Sequence, residues 1–340
     1  MIDQMNRRFF VCAATALSAF PGASLMAQTS DPHYYYLRFR TVACWHIVSV
    51  NDVPVSIKPA AERQEWTVPI NTLLRAGTNT LAFNFVPVWG EAYPAGAPNP
   101  EFAVRIDLVR YNLRTETDED YTALHLAFDM ETGHLAPVEQ TSLGASRGQG
   151  RAVFGSTGRF TVEDGEYRDI YGPAVPSRVV TFDVTVPDDL PPLTWEGAPV
   201  LPGAEVLREE LLAAYRGVHA ALISGDAARV RQAYLPAWER TATVMHYRDV
   251  TEFMSVNDAA QKLAPTLPEG ETLQPARFWP SPGEAQIFHA AEGRLAFILP
   301  SPLRWADPAT PDKTAVQSAV AFMRNPASGG LVVASVLYLV

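Results

Sequence analysis

The chain has 340 residues, with 27 Lys and Arg against 37 Asp and Glu and a formal net charge of −10. An acidic chain without a basic run lacks the clustered cations that grip phosphate, which excludes a nucleic-acid binder and argues against docking on anionic lipid. With 47% hydrophobic and 19% charged residues and 28 prolines, it reads as a globular, loop-rich, β-containing chain long enough for two domains.

Residues 1–27 have the form of an export signal. Arg7 and Arg8 precede an apolar run over residues 9–20, and Ala23, Ser24 and Ala27 supply small residues for cleavage. The run is too short to span a bilayer, so no membrane span is expected in the mature chain. The stretch NRRFFV at residues 6–11 resembles the twin-arginine export motif, which implies passage of a folded protein; ordinary secretion fits the same residues. Either route leads to a periplasmic or secreted protein. Cys12 falls inside the signal, so Cys44 is the sole cysteine of the expected mature chain and no internal disulfide is available. Its apolar setting, VACWHIVSV, reads as that of a buried, inert thiol.

Residues 31–187 carry strand patterns: YYYLRFR, VACWHIVSV, TLAFNFVPV, FAVRIDLVRY, YTALHLAFD and RVVTFDVTV. In the last, Val180, Phe182, Val184 and Val186 face one way and Thr181, Asp183 and Thr185 the other, a strand with one buried and one wet face. Six or more such strands at irregular spacing predict an all-β sandwich. Residues 188–202 are dense in proline and hold no period, which predicts a semi-rigid linker with Trp195 anchored on one domain and Asp188 and Asp189 solvated.

Residues 203–340 change period. Leu207, Leu211, Tyr215, Val218 and Leu222 share one helical face. Gly225 suits a left-handed helix end, and Asp226 suits the cap of a second helix that ends before Pro236. A third helical stretch is expected over 238–254 and a short one over 258–263. Strands return in AQIFHAA, RLAFILP, AVQSAVAFM and LVVASVLYL, with turns at Glu292-Gly293 and over 325–330. Helices followed by antiparallel strands predict an α+β domain in which the helices pack on the sheet.

Two resemblances follow from these residues. Val50, Asn51 and Asp52, then Leu74, Gly77, Asn79 and Leu81, form a hairpin and a corner within VSVNDVPVSI and WTVPINTLLRAGTNTLAFNF. The pattern resembles the jelly-roll, galactose-binding-like modules of secreted glycan-processing enzymes, which implies a sandwich that contacts a glycan or braces a neighbour. Gly77 and Asn79 tolerate the positive φ of a tight turn, and Ile70, Leu73 and Leu74 can plug the end of the core. Farther on, Tyr215, His219, Ala221, Leu222, Gly225, Asp226 and Ala227, with the closing LVVASVLYLV, look like the cone-shaped fold of nuclear-transport-factor-type and ketosteroid-isomerase-type proteins. That resemblance implies a pocket between helices and sheet, where the enzymes of that fold keep an acid–base carboxylate or histidine. No residue here matches such a catalytic position.

Candidate sites are few. The loop over residues 88–101 holds Trp89 and Tyr93 among Pro and Gly, with Glu91 and Asn99 as polar partners. Its aromatics either stack on a sugar or anchor a protein partner, or fold back to cap the sandwich. The glycine-rich residues 147–159 lack the spacing of a phosphate cradle. His246 and Asp249, in the polar stretch HYRD, and His289 are the acid–base candidates, with a solvated helix face as the alternative reading of HYRD. Histidines lack metal-ligand spacing and no nucleophile elbow is present, so neither metal nor cofactor is expected. Three functions fit: an exported non-catalytic accessory protein binding a glycan, small ligand or protein partner; an envelope hydrolase or isomerase with its pocket in residues 203–340; and an immunity or inhibitor protein whose acidity suits a basic secreted toxin. The residues favour the first.

Overall fold

The computed structural model describes residues 32–58, 62–88, 99–129, 131–132, 135–137, 160–168, 174–279 and 281–337. Among the described residues it is mostly antiparallel sheet with four helices, and it divides into two compact units, one ending at Pro192 and the other spanning Leu193–Leu337.

The first unit holds β1 (His33–Val42), β2 (Cys44–Val50), β3 (Val53–Lys58), β4 (Gln64–Pro69), β5 (Gly77–Pro87), β6 (Ala103–Asn112), β7 (Thr117–Phe128), β8 (Leu135–Pro137), β9 (Phe160–Arg168) and β10 (Ala174–Val186). They form two five-stranded sheets, ordered β4-β1-β6-β7-β8 and β3-β2-β5-β10-β9. Alternation decides which residues face inward. Leu37 and Phe39 on β1, Leu81, Phe83 and Phe85 on β5, and Val180, Phe182, Val184 and Val186 on β10 are all buried. Rings cross between the sheets: Phe39 meets His46 of β2 at 6.3 Å, and His46 stacks on Trp66 of β4 at 5.7 Å. At about 1.5–3 kcal/mol for each fully buried large apolar side chain, this shared interior is the main stabilising term of the unit. Cys44 belongs to it, 1% exposed, and burial raises its thiol pKa.

The corner before β5 is built as its residues suggest. Asn51 and Asp52 take φ of 49° and 64° and turn β2 into β3, while Gly77 enters β5 at φ 80°. Residues 71–73 form one 3-10 turn, and Ile70, Leu73 and Leu74 are buried against the end of the core. After β10 the chain stays on this unit: Leu190 is 7% exposed and accepts from Ala76 N at 3.4 Å.

In the second unit, Trp195 is 3% exposed and Leu201 N donates to Gly293 O at 2.8 Å, so the proline-dense entry is packed down. Four helices follow: α1 (Ala204–Ile223), α2 (Ala227–Val244), α3 (Val250–Val256) and α4 (Ala259–Lys262). The expected stripe of α1 is the buried one. Gly225 adopts φ 64° after it, and Asp226 accepts from Ala228 N at 2.8 Å to cap α2. Contrary to expectation, α2 does not stop before Pro236 but runs through it to Val244. Proline removes the N–H that would reach the Gln232 carbonyl. Tyr234, Ala237 and Trp238, all buried around it, hold the helix together by tertiary packing. The third helix is accordingly shorter than 238–254 and begins only at Val250.

The strands are β11 (Thr272–Leu273), β12 (Ile287–Ala290), β13 (Leu295–Ile298), β14 (Arg304–Ala306), β15 (Thr314–Gln317), β16 (Ala319–Arg324) and β17 (Leu331–Leu337). They make a sheet ordered β11-β14-β15 and a second ordered β12-β13-β16-β17. The single run AVQSAVAFM divides between the two sheets at Ser318, whose N–H turns to Leu303 O at 2.9 Å. β11 and β14, two and three residues long, are too short to leave a periodic signal. Among the described residues no helix is long and apolar enough to cross a membrane.

Candidate functional site

The loop over 88–101 enters and leaves through a fixed base. Val88 N donates to Ala43 O at 2.9 Å, at the β1–β2 junction. Asn99, 1% exposed, donates from Nδ2 to Val88 O at 2.6 Å and accepts at Oδ1 from Glu101 N at 2.8 Å. Its own carbonyl takes Phe102 N at 3.1 Å, and Phe102 packs on Phe85 of β5 and Phe128 of β7, each with ring centroids 5.0 Å apart. Asn99 thus spends its side chain tying the two ends of the loop together, not facing outward. Trp89, Glu91 and Tyr93 lie outside the described residues, as do the glycine-rich residues 147–159.

The acid–base candidates of the second unit are placed by helix termini and an edge strand. His246 follows α2 in the left-handed region, φ 60°. Its N–H bonds to Thr243 O at 3.2 Å while Tyr247 N returns to Ala242 O at 2.8 Å, the paired bonds of a Schellman helix end. Asp249 caps α3, accepting from Glu252 N at 2.8 Å; those backbone bonds lead the causes that hold its carboxyl below the usual range. His289 lies on β12 with Nε2 3.1 Å from Pro202 O. His219, on α1, sits 2.8 Å from Gln274 O. Asp249 is thus bonded within the α3 cap, and His289 to a carbonyl 87 positions away in sequence. No three His, Cys, Asp or Glu side chains come together as a metal site among the described residues.

The interior between helices and sheet is occupied by aromatic side chains. Tyr215 contacts Phe322 at 4.8 Å between ring centroids, and Tyr234 stacks on Trp238 at 5.0 Å. Arg240, 7% exposed on α2, has its guanidinium lowered to about 10 by burial, with the charge of Glu196 opposing.

Sequence patterns missed one charged cluster. Asp188, read as solvated, is 17% exposed. It accepts from Arg110 Nη2 at 2.5 Å, Arg110 Nε at 3.0 Å and the Tyr35 hydroxyl at 2.5 Å, with His33 Nδ1 at 3.4 Å. Burial alone would raise the Asp188 carboxyl, but the hydrogen bonds from Arg110 and Tyr35 and the charge of Arg110 outweigh it and hold it low. The partners sit 78 or more positions away in sequence, so no local motif joins them. A fully paired ion cluster of this kind fastens the chain leaving β10 onto β1 and β6.

Compared with protein-family models, curated proteins and solved structures, the chain finds no significant match.

Proposed function

We propose that the protein is an exported, non-catalytic accessory protein of the cell envelope that holds a glycan, small ligand or protein partner. In this reading the first unit is a jelly-roll-like sandwich and the second a cone-like α+β domain, joined near the proline-dense segment. The observation that carries it is the buried Asn99 bridge between the ends of the loop over 88–101. A loop fixed at its base loses less conformational entropy on binding, and this one carries Trp89 and Tyr93 in sequence. Support also comes from His246 and Asp249, whose positions are explained by helix termination and capping without any catalytic duty.

The test is capture from a native envelope fraction, and on immobilised glycans, by the wild-type chain and by a Trp89→Ala, Tyr93→Ala double variant. Loss of at least about tenfold in capture is expected, the usual scale of removing aromatic anchors. Equal capture by both would remove the loop from the function.

A further inference from the structure

The second unit gathers cations beside an exposed ring at the β11-β14-β15 sheet. Trp279, in the segment after β11, is 40% exposed. The Arg277 guanidinium lies over its ring, 5.0 Å from the centroid. That segment starts on β14, where Gln274 N donates to Arg304 O at 2.9 Å. Arg304 itself donates from Nη1 to Pro311 O at 3.2 Å, while its Nε is buried with no hydrogen-bond partner among the described residues. Burial lowers the Arg304 guanidinium, and the like charge of Arg277 lowers it further; Asp312 opposes both. Asp312 is 92% exposed on the β14–β15 connection and reaches Arg277 only at 3.5 Å.

Arg277, 44% exposed, and Arg304 carry like charges that face each other, so an anion bound between them from the solvent side relieves their repulsion. Asp312 is a weakly held occupant, a carboxylate on a surface loop. We propose that Arg277, Arg304 and Trp279 form a binding site for a carboxylate carried on a sugar ring, a uronic acid, with the Asp312 carboxylate standing where the ligand's would bind. The arginines take the carboxylate in charge-assisted hydrogen bonds. The exposed indole takes the apolar face of the ring. The net charge of −10 opposes a dense run of carboxylates such as an acidic peptide, whereas one carboxylate beside one ring matches one indole and two guanidiniums. The site is independent of the loop over 88–101.

The test is the indole N–H spectrum of the full chain labelled at tryptophan, with the Trp279 signal identified by its loss in Trp279→Phe. Sodium glucuronate is expected to shift that signal saturably, while glucose and sodium acetate at the same concentrations leave it in place. Arg277→Gln and Arg304→Gln should each weaken binding about tenfold, the remaining indole signals reporting that the fold is intact. Asp312→Asn, at a fully solvated position, should tighten binding about fivefold by removing the competing charge. The proposal is overturned if glucuronate moves the signal in neither wild type nor Asp312→Asn. It is equally overturned if acetate or polyglutamate moves the signal as much as glucuronate does.

Discussion

The side-chain amide of Asn51 donates to Asn79 Oδ1 at 2.9 Å, locking the β2–β3 turn to the turn that opens β5. Asn51 also donates to Leu73 O at 2.6 Å and accepts from Thr80 N at 3.0 Å. Asn79, 1% exposed, accepts from Arg75 N at 2.9 Å and donates to Arg75 O at 2.8 Å and Gly77 O at 3.0 Å. Asn79→Ala removes three bonds to the backbone of Arg75 and Gly77 together with the one from Asn51, and should destabilise the first unit by about 1–3 kcal/mol in urea unfolding. Asn79→Asp keeps the acceptor but loses both donors and places a charge against two carbonyls, so it should cost at least as much. A loss below 0.5 kcal/mol on the same approximate scale would mean that the corner is held by its apolar plug alone.

The Asp188–Arg110 pair gives a pH dependence with a definite sign. The Asp188 carboxyl is lowered in the folded state, so its contribution is fully present above the unfolded carboxylate pKa of about 3.9 and fades as pH falls through the lower folded value. Asp188→Asn leaves Arg110, 13% exposed, without that charge, and should cost about 2–3 kcal/mol at neutral pH. Unfolding curves of wild type and Asp188→Asn should therefore converge below about pH 4. Curves that stay parallel down to pH 2, or about that, would show that the pair contributes nothing through its charge.

What the sequence disclosed and what it hid divides along contact range. Period-two alternation in residues 180–186, the helical stripe from Leu207 to Leu222, and the turns at Asn51-Asp52, Gly77 and Gly225 are local properties, and the structure places them where the pattern does. Long-range chemistry was invisible. The partners of Asp188 lie on β1 and β6, and the Asn99 bridge depends on how the loop ends meet. Pro236 shows the opposite failure: a strong local signal overridden by the packing of Tyr234 and Trp238. Arg277, Arg304 and Trp279 come together only because the segment after β11 bonds to β14. An Arg-x-Trp stretch carries little meaning until that pairing is known.

The Tyr215 hydroxyl fills a gap in the second sheet. β13 and β16 pair at Ala296 and Phe322, a register that sets Ile298 opposite Val320. There the hydroxyl intervenes, accepting from Ile298 N at 3.0 Å and donating to Val320 O at 2.9 Å. Tyr215→Phe leaves a buried N–H and a buried carbonyl unmet unless the strands close directly. It should cost about 1–3 kcal/mol and speed amide exchange at Ile298 more than at Ala296. Unchanged exchange at Ile298 would mean that the strands close on their own and the hydroxyl is dispensable.

His246 provides a test that separates architecture from catalysis. It sits at φ 60°, where a side chain costs about 1 kcal/mol relative to glycine, and it carries the bond to Thr243 O that closes α2. His246→Gly should therefore hold or raise the thermal midpoint of the second unit, by a few degrees at most on the scale of about 2–4 °C per kcal/mol for domains near its size. His246→Val, β-branched in the same backbone region, should lower it by a similar or larger amount. This order, Gly at or above His and His above Val, follows from backbone conformation alone. If both substitutions are equally damaging, the imidazole holds its place through its ring contacts, which favours the acid–base reading of His246.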